Sequence, residues 1–574
     1  MKFKRRIVLI ASIVLLLFHA ARLVARGEEQ STRSAPAVSE HGMVATSEPR
    51  AVEAGLDVLR NGGNAIDAAV AAGAMIGLTE PMSCGMGGDL FAIVWDAKTQ
   101  KLYGLNASGR SPYRATLKVF LDEGKATPTN PPQIPTYGPL SWSVPGCVDG
   151  WDQLLKRFGT RPLGELLQPA IRTADRGFEV TPIIGRSWQG SAELLGRWPD
   201  SAKTYMPGGD APGSGDTFRN PNLARSYRLI AERGRDAFYR GPIATEIVAA
   251  SDKVGGLFSL KDFADHTSTW NDPVATNYRG YDVWELPPNG QGIAALQMLN
   301  ILDAFDLKSL GHNSGDYLHL LIEAKKLAFE DRARYYADPT FADVPVKDLI
   351  SKPYAARRRK LIDPNRALRE ITLEDPRLAA SETIYMTVVD KDRNAISYIQ
   401  SNYHGFGSGV VPGELGFVLQ NRGNLFALDD KHPNRLEPHK RPFHTIIPAF
   451  ITRDGKPWLS FGVMGGDMQP QGHVRVLLNT LEFGMDPQRA GAAPRFCHFG
   501  SSTPTGLHMA DGGEVGLERG IPESVHAALQ AKGHTTLVRP GGSFGGYQAI
   551  RFDWESGKLI GGSDPRKDGY AKGY

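Results

Sequence analysis

The character of the chain changes at residue 382, and that change decides what it can become. Segments 383–390 and 395–400 are dense in β-branched and aromatic side chains, and the polar turn Lys391-Asp392-Arg393-Asn394 joins them as a hairpin requires. Segments 416–420, 445–452 and 458–464 continue the series, and 474–483 reads as a helix. Before the change the pattern is helical. Ser47, ahead of Pro49, is placed to cap a helix through Val52, Leu56 and Leu59 that stops at Asn61-Gly62-Gly63-Asn64. Segment 65–78 carries alanine at 65, 68, 69, 71, 72 and 74, so its smooth surface can lie close to a sheet before Pro81 ends it. A long helix over 316–336 gathers Leu318, Leu321, Ile322, Ala328 and Phe329 on one side and stops at Asp338-Pro339. Helical segments on both sides of a run of strands call for sheets covered by helices. No internal repeat is visible.

The 574 residues allow two to four average domains or one large layered domain. With 66 basic and 62 acidic residues the net charge is only +4, too small and too dispersed to make nucleic acid the main partner, so the partner is a small molecule. Cys84, Cys147 and Cys497 are too few for a disulfide framework and lack metal-site spacing; they read as buried apolar thiols. Lys2, Lys4, Arg5 and Arg6 precede the apolar run 7–18, the order of a secretory signal. Leu23 stands where a small side chain would favour cleavage after Ala25, so 1–26 is a signal peptide or an N-terminal anchor. The body is expected to be exported, periplasmic or extracellular, touching membrane only through an uncleaved leader. Segment 27–42 reads as a flexible spacer.

Several familiar sites are absent. Gly85-Met-Gly-Gly88 is not GxGxxG and no GxxxxGK[ST] occurs, so no nucleotide cofactor is implied. Gly541-Gly-Ser-Phe-Gly545 satisfies GxSxG, but no histidine follows it as that nucleophile needs. Pro433, Pro438 and Pro442 break any helical register among His432, His439 and His444, so no metal site is expected there.

Four stretches resemble the γ-glutamyltranspeptidase family, in the family's order: 61–70 (NGGNAIDAAV), 85–89 (GMGGD), 383–390 (TIYMTVVD) and 462–466 (GVMGG). The resemblance runs from Met43 to the C-terminus. It implies an α+β N-terminal-nucleophile hydrolase, a four-layer αββα sandwich. Both halves of a self-cleaved proenzyme, 43–382 and 383–574, would form it and stay associated. Thr383 holds the family's nucleophile position, which makes Glu382–Thr383 the scissile bond.

The chemistry suits those residues. A threonine hydroxyl is a poor nucleophile at neutral pH without a base. At a chain terminus its own α-amino group, titrating at about 7.7–8.0, supplies one. Ser401 corresponds to a family threonine that hydrogen-bonds the nucleophile, with Asn402 or Tyr403 as neighbours able to take that role. Gly465 and Gly466 correspond to the oxyanion-binding pair, since glycines let backbone N–H groups converge on a ligand. Thr387 reads as a structural hydroxyl.

The departures concern substrate. Glutathione-cleaving members hold the γ-glutamyl amino group with a Gln and an Asp; this chain has Asn421-Arg422-Gly423-Asn424-Leu425. A guanidinium cannot pair with an ammonium but takes a carboxylate in two parallel hydrogen bonds. The family's two carboxylate-binding serines are replaced by His444 and Thr445, and Arg110 is only an offset match for the family arginine. Residues 400–409 and 420–423 resemble instead the amidohydrolase and acylase branch. Arg422, His404, Asn421, His444, Thr445 and Arg110 are thus the expected substrate contacts. The expected activity is hydrolysis of γ-glutamyl or similar small carboxylate-bearing amides, with transfer to an amine left open. The alternatives are a non-glutamyl amide of oxamate or cephalosporin type and a processing-defective binding homologue.

Overall fold

The computed structural model describes residues 35–369 and 382–574, with Glu382 described by its backbone only. The expected leader 1–26 lies outside the described residues, as do 27–34 of the expected spacer and Ser381.

Two seven-stranded sheets face each other. One orders its strands Ala37–Ser39, Lys558–Ser563, Gly546–Asp553, Lys456–Met464, Ala449–Arg453, Tyr281–Glu285 and Val274–Tyr278. The other runs Tyr570–Gly573, Met43–Thr46, Glu382–Val389, Ala395–Tyr403, Asp89–Asp96, Lys101–Ala107 and Thr269–Asn271. Each sheet mixes strands from before and after residue 382.

Strand alternation sorts the side chains into layers. Tyr385, Val389, Phe91, Ile93 and Ile399 meet Phe450, Met464 and Ile550 of the facing sheet in a core between the sheets. Met386, Val388, Ile396 and Tyr398 point the other way, into a core with helices Pro49–Arg60, Ala65–Thr79 and Cys147–Phe158. On the opposite flank Ile451, Leu459, Phe461 and Val463 pack beneath Gly292–Leu302, Gly315–Tyr335 and Met468–Leu481. The result is helix, sheet, sheet, helix: the four-layer α+β sandwich of N-terminal-nucleophile hydrolases. Ala65–Thr79 is buried along its whole length, as its alanines demand.

Some local expectations need correction. The first helix is capped by Glu48, whose carboxylate accepts from the Ala51 N–H at 3.0 Å, whereas the Ser47 hydroxyl donates to Glu80 at 2.8 Å. The spacer ends early, because Ala37–Ser39 pairs with Leu559–Gly561 and closes a sheet edge. Residues 416–420 form no strand. Gly416 adopts φ +79°, and Leu419 exchanges hydrogen bonds with Ser408 and Val410 in a local loop. Strand 445–452 begins only at Ala449, since 444–447 are held by side chains: Gln291 reaches the Thr445 carbonyl and Gln469 the Ile447 N–H. The helix expected over 474–483 starts earlier, at Met468. The three cysteines are free and buried.

The two sheets approach closely where Gly462 faces Tyr385. A Cβ on Gly462 would lie 2.4 Å from the Tyr385 ring, and that ring is pinned by its hydroxyl, 2.7 Å from Ser397 Oγ. Gly462→Ala is therefore expected to destabilise the fold by about 1–3 kcal/mol through overpacking, read as a lowered denaturation midpoint.

Candidate active site

Strand Glu382–Val389 starts with a register shift between Glu382 and Ile384, which sets Glu382 opposite Tyr403. Such irregularities re-aim a side chain beside a functional site. Thr383 sits at the shift, 2% exposed, and its hydroxyl donates to Ser401 Oγ at 3.1 Å. Ser401 Oγ also accepts the Tyr403 N–H at 2.8 Å. Ser401 thus stands within hydrogen-bond reach of Thr383, while Asn402 turns its amide to the Pro81 carbonyl. Tyr403 takes a left-handed conformation, φ +82°, a strain that persists where surrounding contacts over-determine it. Thr387 bonds Ser460 of the facing sheet at 2.6 Å, the structural hydroxyl expected.

A cavity of about 300 Å³ opens beside this point. Tyr403, His404, Thr445, Gly466, Arg332 and Asp467 line one part of it, and Asn424, Leu425, Phe443 and residues within 127–136 and 503–507 the rest. Thr383 is not itself in the lining; Ser401 and Tyr403 link it to the cavity. Gly465 and Gly466 follow the strand Lys456–Met464 with φ +120° and +59°, and Gly466 reaches the cavity. Among the described residues no group accepts the Gly466 N–H. A backbone donor left open at a cavity is what an oxyanion site needs.

The electrostatic centre is Asp89, which ends the glycine motif 85–89. Its Oδ1 accepts from Gly109 N–H and Gly146 N–H, both at 3.0 Å, and from Gln420 Nε2 at 2.8 Å. Its Oδ2 accepts from His444 Nε2 at 3.0 Å. Burial pushes this carboxyl up to about 6, against the opposing pull of the Arg422 guanidinium and these hydrogen bonds. Burial, with Arg422 and Arg441 nearby, holds His444 well below the imidazole range, so it is neutral: Nε2–H donates to Asp89 and Nδ1 accepts from Ile446. His444 stacks on Phe91 and stands behind Thr445, outside the cavity lining.

Arg422 is wholly buried and is not itself in the cavity lining; it stands behind the lining residues Thr445 and Tyr403. Its Nη1 donates to Thr445 Oγ1 at 2.9 Å, and its Nε and Nη2 have no partner. Burial lowers it to about 10, so it remains a cation at neutral pH. Its flanking contacts are the Tyr403 ring, 5.0 Å away, and the field of Asp89; neither Asp429 nor Glu414 pairs with it.

The other expected contacts divide. His404 and Thr445 line the cavity. Asn421 stands behind it, accepting the His404 N–H at 3.2 Å and donating to the Thr136 carbonyl at 2.8 Å, so it orders two wall segments. Arg110 lies outside the lining and donates to the Thr267 carbonyl at 3.0 Å beside Arg441. Arg332, Asp467 and Asp89 were not among the expected site residues. Asp89 and Asp467 each directly follow a glycine pair, which is a usable signal; Arg332 is one buried position in a long helix and gives none.

One cluster outside the cavity has metal-ligand chemistry: His319, Glu323 and His534, with ligand atoms within 4.8 Å of one another. Its donors are already engaged. The imidazoles bond each other at 2.8 Å, and Lys326 and the Leu368 N–H hold the Glu323 carboxylate. His432 and His439 are separate again, the first on the Ala333 carbonyl and the second stacked on Tyr113.

A threonine opening a strand in one of two facing sheets, joined to a second hydroxyl and to a cavity bordered by the opposite sheet's glycine turn, is the arrangement of an N-terminal-nucleophile amide hydrolase. The chain matches the gamma-glutamyltranspeptidase family model over residues 51–574 and belongs to that family. It is 39% identical, over 92% of its length and 98% of the relative's, to the glutathione hydrolase-like YwrD proenzyme of Bacillus subtilis (strain 168). It is 36% identical to the acylase ACY 1 proenzyme of Pseudomonas sp. (strain SE83), covering 93% of this chain and 94% of that one. In structure it is similar to cephalosporin acylase from Bacillus halodurans, with TM-score 0.86 and 41% identity over 94% of this chain and 97% of that chain.

Asp89 makes a signed prediction. Its folded carboxyl titrates near 6, above the unfolded value of 3.8, so its stabilising share is complete below about 3.8 and lost as pH rises through about 6. The loss is on the order of 3 kcal/mol. The melting-temperature advantage of wild type over Asp89→Asn should therefore be larger at pH 4.5 than at pH 7.5 in calorimetry run at both (on the order of 1 degree per kcal/mol at this size).

Proposed function

We propose that this chain is a self-processing threonine amidohydrolase whose acyl pocket takes a small carboxylate-bearing acyl group. Thr383 Oγ attacks the Glu382 carbonyl carbon; the C–N bond breaks, the acyl group moves to oxygen, and the nitrogen becomes the free α-amino group of Thr383. Water then hydrolyses the ester, leaving Glu382 as a carboxylate. In turnover the α-amino group accepts the hydroxyl proton as Oγ attacks the substrate amide, and returns it to the leaving amine. Ser401 orients the attacking hydroxyl, and the Gly466 N–H receives the oxyanion. A second water releases the acid.

One observation carries the substrate reading: the Nε–Nη2 edge of Arg422 is buried with no acceptor. That edge is a two-pronged donor for a carboxylate, and a buried guanidinium with open donors is costly until an anion fills it. An ammonium, as on a γ-glutamyl group, would meet a like charge there. The acylase among the relatives supports the same direction. The basic-then-apolar N-terminus supports an exported enzyme, with 43–382 and 383–574 as the two segments of the mature protein.

Thr383→Ala should leave a single band on denaturing electrophoresis and no turnover; wild type should give two bands with Thr383 as a new N-terminus. Arg422→Gln should lower kcat/KM on dicarboxylic monoamides about 10- to 100-fold, the loss of one charge-assisted hydrogen-bonded pair. It should spare or improve γ-glutamyl anilides. Equal rates on the monoamides would remove Arg422 from the pocket.

A further inference from the structure

The glycine turn at 465–466 has a support that the reaction above does not use. Gln291 precedes the helix Gly292–Leu302 and is fully buried. Its Nε2 donates to the Gly466 carbonyl at 2.9 Å and to the Thr445 carbonyl at 2.7 Å. Its Oε1 accepts from Arg332 Nη1 at 2.6 Å. Arg332 in turn grips Asp467 with two contacts, Nη1–Oδ1 at 2.6 Å and Nη2–Oδ2 at 3.2 Å. Every hydrogen-bonding atom of the Gln291 amide is thereby spent on one wall of the cavity.

Both acceptors of Gln291 are backbone carbonyls of lining residues, and one belongs to the turn that presents the open N–H. A peptide unit is planar and trans, so fixing the Gly466 carbonyl fixes the peptide plane that leaves the glycine. Gly465 and Gly466 have no Cβ and adopt positive φ; the helix start holds the turn from one side, with Met468 N–H on the Gly465 carbonyl at 3.0 Å and Gln469 N–H on the Gly466 carbonyl at 3.1 Å, and Gln291 ties it across to Thr445. Thr445 carries the hydroxyl on which Arg422 rests. One amide therefore sets the spacing between the oxyanion turn and the acyl pocket. The brace also spans the cut site in sequence: Gln291 and Arg332 precede residue 382, and Thr445, Gly466 and Asp467 follow it.

We infer that Gln291 is a positioning residue for acyl transfer, holding the Gly465–Gly466 turn against Thr445 from the first segment of the mature enzyme. The inference rests on the Thr383 acyl-enzyme reading above. Asp467 and Arg332 complete the brace. Burial would raise the Asp467 carboxyl, but the facing Arg332 guanidinium holds it below the usual range, so the pair stays ionised at the cavity edge.

Full-length Gln291→Glu and Gln291→Asn test it. The glutamate keeps an acceptor for Arg332 but cannot donate to the two carbonyls; the asparagine keeps the amide but falls short of them, and both are small enough to be accommodated. Each should lower kcat about 10- to 100-fold, with KM, the inhibition constant of the product acid and the melting temperature near wild type. Self-cutting also passes through a tetrahedral oxyanion, so a folded variant that matures tenfold or more slowly supports the brace as well. Wild-type kcat and maturation in either variant would overturn it, as would a loss of kcat that only follows a fall in melting temperature. Thr383→Ala separates the two readings. If it is dead while Gln291→Glu is normal, the brace alone fails; if it is active, the acyl-enzyme reading fails first.

Discussion

The contact of the two sheets at Gly462 and Tyr385 governs the molecule. One sheet carries Thr383 as the second residue of its strand Glu382–Val389, and the other carries the strand Lys456–Met464 that leads into Gly465–Gly466. A nucleophile and an oxyanion donor must converge within a few ångströms, so the sheets cannot be spaced by large side chains on both faces there. A glycine on one side and a pinned tyrosine ring on the other meet that condition, and Thr387 with Ser460 adds a direct hydrogen bond between the layers. The catalytic geometry is thus a property of core packing, and rigid strands supply it.

That architecture is also compatible with the proposed cut before Thr383, after which the chain would remain whole. Strand Glu382–Val389 is flanked in its sheet by Met43–Thr46 and Ala395–Tyr403, one from each side of the cut. Opening the backbone at its first residue removes no ladder beyond the register shift, while the layers on both flanks bury residues from both segments. The terminus that the proposed cut creates would stay where packing already holds Thr383.

The layer order was legible because it follows from periodicity: alanine spacing at 65–74 and β-branched alternation after 383 each leave one workable partner. Thr383, Ser401 and the glycine pair were named by resemblance, since a threonine near the start of a strand says nothing by itself. Loops were misread where side chains replaced the ladder. Residues 416–420 and 445–448 look like strands by composition, yet Gln291, Gln469 and local turns take their backbone groups. Arg110 and His444 were assigned to the pocket by matching family positions, the first with an offset. The first is drawn away by the Thr267 carbonyl and the second faces Asp89, contacts with no local sequence signature.

Asp89 and Arg422 show why the pocket is charged but not self-satisfied. Asp89 spends its oxygens on two glycine N–H groups, Gln420 and His444, so its field reaches Arg422 without any bond to it. Had the pair closed directly, the guanidinium edge would be filled and the site would have no anion affinity. Neutral His444 is the insulator that makes this arrangement hold: it occupies Oδ2 with a single N–H and adds no charge of its own. On the proposed reading, affinity for a carboxylate would arise from how Asp89 is engaged behind the cavity wall.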